Sequence, residues 1–302
     1  MNAPPRLFDR DLLLARRRRA LGTGAETFLL ELAAHDLAER LGVVQRRFDL
    51  AVDLGTPGDA LARALAASGK IGAIVVCEPL AERRGGALRV VGDEESLPFA
   101  AGSLDLVASA LALQWVNDLP GTLVQIRRAL KPDGLLLAAL VGGDTLFELR
   151  ECLAAAEAEL EGGASPRVAP FADVQALGAL LQRAGFALPV ADLDRHVVRY
   201  AHMLELLRDL RRMGATNVLV ERRRAPLRRA TLTRAGALYA ERYADADGRI
   251  RATFEVISIS GWAPHESQQK PLRPGSARVR LADALGVAEQ SAGDKANPRR
   301  DS

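Results

Sequence analysis

From Glu26 to Leu41 the apolar positions Phe28, Leu29, Leu32, Leu37 and Leu41 recur near helical spacing, with acids early and an arginine late. That pattern predicts an amphipathic helix aligned with its own dipole. The period then changes. Phe48 to Leu54 is a short apolar run ending in Gly55-Thr56-Pro57-Gly58, and Asp59 to Ala67 resumes a helical pattern, so the segment reads as strand, turn, helix. Strand-like runs recur at Ile71 to Cys77, Leu88 to Val91 and Leu104 to Ala108. A helix over Leu119 to Leu130 stops at the turn signal Lys131-Pro132-Asp133-Gly134, and Leu135 to Val141 is apolar throughout, as in a strand buried on both faces.

Helical patterns follow at Thr145 to Leu160, with Asp144 as its N-cap, and at Val174 to Ala184, stopped by Gly185. A strand near Asp194 to Tyr200 and a β-rich run at Thr253 to Ile259 read as an antiparallel pair closing the sheet. Helices at Met203 to Met213 and Thr231 to Tyr243 lie between them. The alternation predicts an α/β, Rossmann-like, doubly wound sheet of seven strands. The expected organisation is an N-terminal helical extension over 1–45, a main domain over 46–262 with a helical insertion at about 201–245, and a polar C-terminal segment over 263–302. The end of that segment, from Glu289, is expected to be disordered.

The composition is that of an ordinary globular protein, 48% hydrophobic and 26% charged, with a net charge of +3. No apolar run approaches the roughly 20 residues that span a bilayer, and the first ten residues lack the apolar core of a secretory signal, so a cytoplasmic protein is expected. Cys77 and Cys152 fall in apolar or helical patterns and read as buried thiols. The four histidines are scattered, and no cluster has metal-ligand spacing. Only four of the 41 basic residues are lysines, a general arginine bias. The runs Arg16 to Arg19, Arg222 to Arg224 and the helix expected over Glu221 to Arg229 therefore read as solvated helix faces and not as nucleic-acid patches.

A doubly wound sheet binds ligands beyond the carboxyl ends of its strands, which selects four loops. In Asp53 to Asp59, Gly55 and Gly58 allow a tight turn and close backbone approach to a ligand. Glu78, at the end of the second strand and roughly 20 residues past the glycine loop, is placed to accept from ribose hydroxyls. Asp93 and Glu94 end the third strand, where a carboxylate can accept from an exocyclic amine. Ser109 to Trp115 follows the fourth strand, where the reacting group and the substrate would meet. Each piece has a plain alternative, as turn glycine, helix cap or loop acid, but their order and spacing together point to a nucleoside ligand. The chain lacks the lysine of a triphosphate-binding loop.

The stretches Gly92-Asp93-Glu94-Glu95-Ser96-Leu97-Pro98-Phe99, Leu104-Asp105-Leu106-Val107, Leu113-Gln114-Trp115-Val116-Asn117-Asp118-Leu119-Pro120 and Leu130-Lys131-Pro132-Asp133-Gly134 resemble the class I S-adenosylmethionine-dependent methyltransferases, including malonyl-carrier-protein O-methyltransferase of biotin synthesis. Further stretches are Phe8-Asp9-Arg10, Gly142 to Arg150, Glu161-Gly162-Gly163-Ala164-Ser165-Pro166-Arg167, and Gly261-Trp262 with His265-Glu266-Ser267-Gln268. These resemble the mitochondrial respiratory complex I assembly factor 5 family and its bacterial relatives. That resemblance implies S-adenosyl-L-methionine as cofactor and a protein substrate, a peripheral-arm subunit of complex I, with hydroxylation or methylation of an arginine as the reaction. It implies no nucleic-acid partner, and allows peripheral association with the inner face of the cytoplasmic membrane through complex I.

The same resemblance assigns Asp53, Gly55 and Gly58 to the methionine end of the cofactor, Glu78 to the ribose, Asp93 and Glu94 to the adenine, and Ser109 to the sulfonium. Gln114, Trp115, Asp144 and His265 are the candidates for a catalytic role. The chain departs from the family at Thr56, Pro57 and Asp59, where relatives carry cysteine and glycines; Pro57 removes an N–H, and the Asp59 side chain is expected to crowd the ligand. Two other readings follow, a noncatalytic assembly chaperone and the carrier-protein O-methyltransferase.

Overall fold

The computed structural model describes residues 6–80, 88–268 and 286 of the 302-residue chain. Met1–His265 form one compact unit and Glu266–Ser302 a second, of which only 266–268 and 286 are described; the tail from Glu289 lies outside the described residues.

The chain opens with α1 (Arg10–Gly22) and α2 (Phe28–Val43), then alternates β1 (Phe48–Leu54), α3 (Ala60–Ala67), β2 (Ile71–Glu78), β3 (Leu88–Val91), β4 (Leu104–Ala110), α4 (Leu119–Ala129) and β5 (Leu130–Val141). It continues with α5 (Phe147–Glu161), α6 (Val174–Arg183), β6 (Ala187–Tyr200), α7 (Met203–Arg212), α8 (Arg229–Tyr243) and β7 (Ile250–Trp262). One seven-stranded sheet has the order β3-β2-β1-β4-β5-β7-β6, parallel except for β7, which runs antiparallel to both β5 and β6. The expected class and the closing antiparallel pair are both found.

Alternation along β5 builds the two faces. Leu135, Leu137 and Ala139 pack into a core with α2, α3, α5, α7 and α8, whereas Leu136, Ala138 and Leu140 pack into a second core with α4 and α6. Each buried leucine of this kind contributes roughly 2 kcal/mol through removal of apolar area from water. The turn expected at residues 131–134 lies inside β5: pairing with β4 jumps from Leu104↔Leu130 to Leu106↔Leu135, and Asp133 takes a left-handed φ of 63° in the excursion.

Three expectations change. Helix α2 is part of the main domain and not an extension of it, because Leu29, Ala33, Leu37 and Leu41 belong to the same core as Phe48 and Ala51 of β1. Helix α5 begins at Phe147 with Leu146 as its cap in a left-handed conformation, so Asp144 is not its N-cap. The helix expected over residues 221–229 is irregular chain, and α8 begins only at Arg229, since Pro226 removes the N–H a helix would need there. Among the described residues no helix is long and apolar enough to cross a membrane.

The loop after α5 is fixed by one buried acid. Glu157 is 0% exposed, and accepts hydrogen bonds from the Ser165 N–H at 2.8 Å and from Arg167 Nε at 2.9 Å. Burial pushes its pKa up, but the bonds from Arg167 and Ser165 outweigh that and hold it below the usual carboxylate value. A carboxyl with a depressed folded pKa contributes stability above its unfolded pKa and loses it as pH falls through the folded value. Glu157→Gln should therefore cost about 3 kcal/mol at pH 7. In urea unfolding the gap to wild type should narrow below the unfolded carboxyl pKa of roughly 4.3; a gap that stays constant with pH would contradict this account.

Candidate cofactor and substrate site

Strand β1 lies between β2 and β4, in register with both, so Leu54, Glu78 and Ala110 end on one edge of the sheet. The Gly55 N–H donates to the Cys77 carbonyl at 2.7 Å and extends the β1–β2 ladder by one residue. Gly55 then takes φ +70° and Gly58 φ +142°, conformations open to glycine at little cost, and a Cβ at Gly55 would overlap the Glu94 carboxylate.

The departures at Thr56, Pro57 and Asp59 are accommodated. Thr56 is buried, and its Oγ1 accepts from the Ala110 N–H at 3.0 Å. Pro57 sits at the centre of a three-residue turn closed by the Gly58 N–H and the Thr56 carbonyl at 2.8 Å, a position whose φ proline presets. The Asp59 side chain is 56% exposed and pairs with Arg63 at 3.0 Å, so it does not crowd the loop as expected. Its helical neighbour one turn on draws it to the surface.

A cavity of about 280 Å³ opens against this edge. Gly55, Pro57 and Glu78 form part of its wall, and α1, α2, α5, α7 and the loop through Phe171 supply the rest, mostly leucine, valine and aromatic side chains. Glu78 is 5% exposed, where β2 ends at the cavity, and pairs with Arg89 of β3. Glu94 is buried and bonds to Arg10, which also reaches Asp93 at 2.9 Å. Burial pushes the Cys77 thiol up to about 12, so it is a protonated core group and not a nucleophile.

Of the other expected residues, Gln114 and Trp115 line the cavity. They lie in a short 3-10 turn, Leu113–Trp115, directly beyond β4. Gln114 Oε1 is buried with no hydrogen-bond partner among the described residues, an acceptor left for a ligand. The Trp115 ring is held edge-on by Phe8 at 5.4 Å and Phe171 at 5.6 Å.

Three expected positions stand differently. Ser109 spends its hydroxyl on the Leu54 carbonyl at 2.7 Å, stitching β4 to the end of β1 in place of facing the cavity. Asp144 is 63% exposed and pairs with Arg195 at 2.9 Å outside the cavity wall. His265 follows β7, whose last residue Trp262 pairs with Leu135 at the start of β5; because β7 runs antiparallel, His265 sits at the opposite edge of the sheet. Missing from the expectations were Arg10, Arg17 and Arg167. Arg17 was read as part of a solvated face, yet it is 7% exposed and lines the cavity.

Residues 52–138 match the model of a methyltransferase domain. Over 94% of its length the chain is 40% identical to the arginine-hydroxylase NDUFAF5, mitochondrial, of Danio rerio, and the match covers 91% of that protein. The chain belongs to the arginine-hydroxylase NDUFAF5 family. It is also 40% identical to the malonyl-[acyl-carrier protein] O-methyltransferase of Xylella fastidiosa, over 58% of this chain and 57% of that one. A Bacillus halodurans protein assigned as a methyltransferase shares the fold at TM-score 0.52 and 15% identity, covering 76% of this chain and 99% of its own. The NDUFAF5 family member described here is thus an enzyme of methyltransferase fold, and the domain match supports S-adenosylmethionine as its cofactor. The glycine turn and the buried Glu78 on one cavity wall fit that molecule.

Because Asp59 faces solvent, Asp59→Gly should leave affinity for S-adenosylhomocysteine within about twofold of wild type. Gly55→Ala, which sets a Cβ at positive φ against Glu94, should weaken binding by more than about tenfold in calorimetric titration. Equal affinity in all three proteins would refute this assignment of the turn.

Proposed function

We propose that the chain binds S-adenosylmethionine in this cavity and modifies an arginine side chain of a peripheral-arm subunit of respiratory complex I, in the cytoplasm at the inner face of the membrane. The observation that carries this reading is the near full-length identity to a protein named as an arginine hydroxylase.

On this reading Asp53, Gly55 and Gly58 border the methionine end, Glu78 accepts from the ribose hydroxyls, and Asp93 and Glu94 lie toward the adenine. Once bound, the cofactor would supply an electrophilic methyl group for methylation, the arginine nitrogen losing a proton; hydroxylation would draw its oxygen atom from a separate oxidant. Gln114 is the substrate-side residue: its buried Oε1 matches an N–H of a guanidinium, which carries donors and no acceptor. The leucine-rich and aromatic wall excludes water from that contact, which strengthens it.

A second reading, the carrier-protein O-methyltransferase, draws on the same wall, since apolar lining suits an acyl chain. The noncatalytic chaperone reading was motivated by the altered turn, and the ease with which Thr56, Pro57 and Asp59 fit removes that motive.

Mass spectrometry of complex I subunits from a deletion strain should reveal an arginine lacking a modification of about 16 Da for oxygen or about 14 Da for methyl. Unchanged subunits together with biotin auxotrophy would transfer the assignment to the second reading. In calorimetry, Glu78→Ala should bind S-adenosylmethionine at least about tenfold more weakly than wild type; absence of binding by wild type would remove the cofactor reading. Gln114→Leu should lower modification of the target arginine by up to about tenfold while leaving cofactor affinity unchanged. Equal loss of both would place Gln114 with the cofactor and not with the substrate.

A further inference from the structure

Helix α1 brings a buried charge to the cavity that no residue above employs. Arg17 is 7% exposed, lines the cavity, and points Nη1 at the Gly55 carbonyl oxygen from 3.5 Å, the outer limit of a hydrogen bond. A guanidinium offers five N–H donors and accepts nothing, so burying it without an anion is costly. The acids around it are committed elsewhere. Glu94 bonds to Arg10, Glu78 to Arg89 and Glu26 to Arg212, and among the described residues Arg17 forms no ion pair. Burial accordingly pushes its pKa down, with the more distant Glu94 and Glu78 charges opposing and Arg10 adding to the fall. The other cation on the wall, Arg167, is taken by Glu157 through both Nε and Nη2. The cavity therefore holds one uncommitted fixed positive charge among the described residues, and it lies at the glycine turn.

We infer that Arg17 binds the carboxylate of the methionine portion of S-adenosylmethionine, and so fixes which way the cofactor lies. The inference rests on the cofactor reading above. Apart from that carboxylate, the charged groups of the cofactor are an ammonium and a sulfonium, both of which a guanidinium repels, so the carboxylate is the group that Arg17 attracts. With the amino-acid end drawn to α1 at Gly55, the nucleoside is directed to Glu78 at the end of β2.

The test compares two ligands that differ by the carboxylate alone, S-adenosylhomocysteine and its decarboxylated analogue S-adenosyl-3-thiopropylamine, by calorimetric titration of the full chain. Wild type should prefer S-adenosylhomocysteine by at least about tenfold, as expected for a charge-assisted pair. In Arg17→Met the preference should fall to about twofold or less, with affinity for the analogue unchanged; Arg17→Lys should recover part of it. A thermal melt establishes that each variant is folded, and if Arg17→Met is not, the Arg17→Lys comparison decides. A wild-type ratio near one overturns the proposal, as does a variant that loses both ligands equally while keeping the ratio. Binding of neither ligand by wild type overturns the cofactor reading and this proposal together, an outcome distinct from both of those.

Discussion

The parallel alignment of β1 between β2 and β4 is the constraint on which the rest of the structure depends. In-register hydrogen bonds on both sides bring three strand ends to one edge, and the glycine turn, the ribose-side acid and the 3-10 turn inherit their places from it. A slip of one residue would turn Val52 and Leu54 toward the opposite face and exchange the contents of the two cores. Side chains reinforce the alignment where the ladder ends. Ser109 and Thr56 each span the gap between β1 and β4, so the residue that replaces cysteine in the turn acts as a fastener for it.

Charge is arranged around that edge in pairs within the chain. Glu78 and Glu94 are buried carboxylates, and each is matched by an arginine from another element, Arg89 of β3 and Arg10 of α1. Such pairs return little net stability, because the desolvation of both partners offsets most of their attraction. What they do fix is geometry: α1 is tied to the loop after β3 at one point and to the segment before α8 at another, through Asp9 and Arg222 at 3.0 Å. The N-terminal helix is consequently a wall of the cavity.

Much of this fold was legible in the sequence, and the reasons for success and failure are physical. Strand β1 matches its apolar run residue for residue, and the antiparallel β6–β7 closure follows from β-rich patterning. In α1 the leucines run consecutively through Leu12, Leu13 and Leu14, and four arginines follow, so the helix has no clear apolar stripe and its burial was missed. Arg17 is buried beside three arginines of similar local sequence, and only tertiary packing distinguishes it from them. The misplacing of His265 had a different origin: the pattern gives an antiparallel last pair but not which of the two strands runs against β5. Asp59 departs from the expectation because its place beside the glycine turn says nothing of the ion pair with Arg63, four residues on, that draws it outward.

The aromatic contact on the cavity wall gives the chain a built-in optical reporter. Of its two tryptophans, Trp115 is 6% exposed and gripped between Phe8 and Phe171, so the chain before α1, the turn after β4 and the loop before α6 meet on one indole. Trp262 sits at the far edge of the sheet, at the end of β7. Separation of any of the three segments would admit water to Trp115 and leave Trp262 as it is, so the emission of a single ring records whether that part of the cavity wall is assembled.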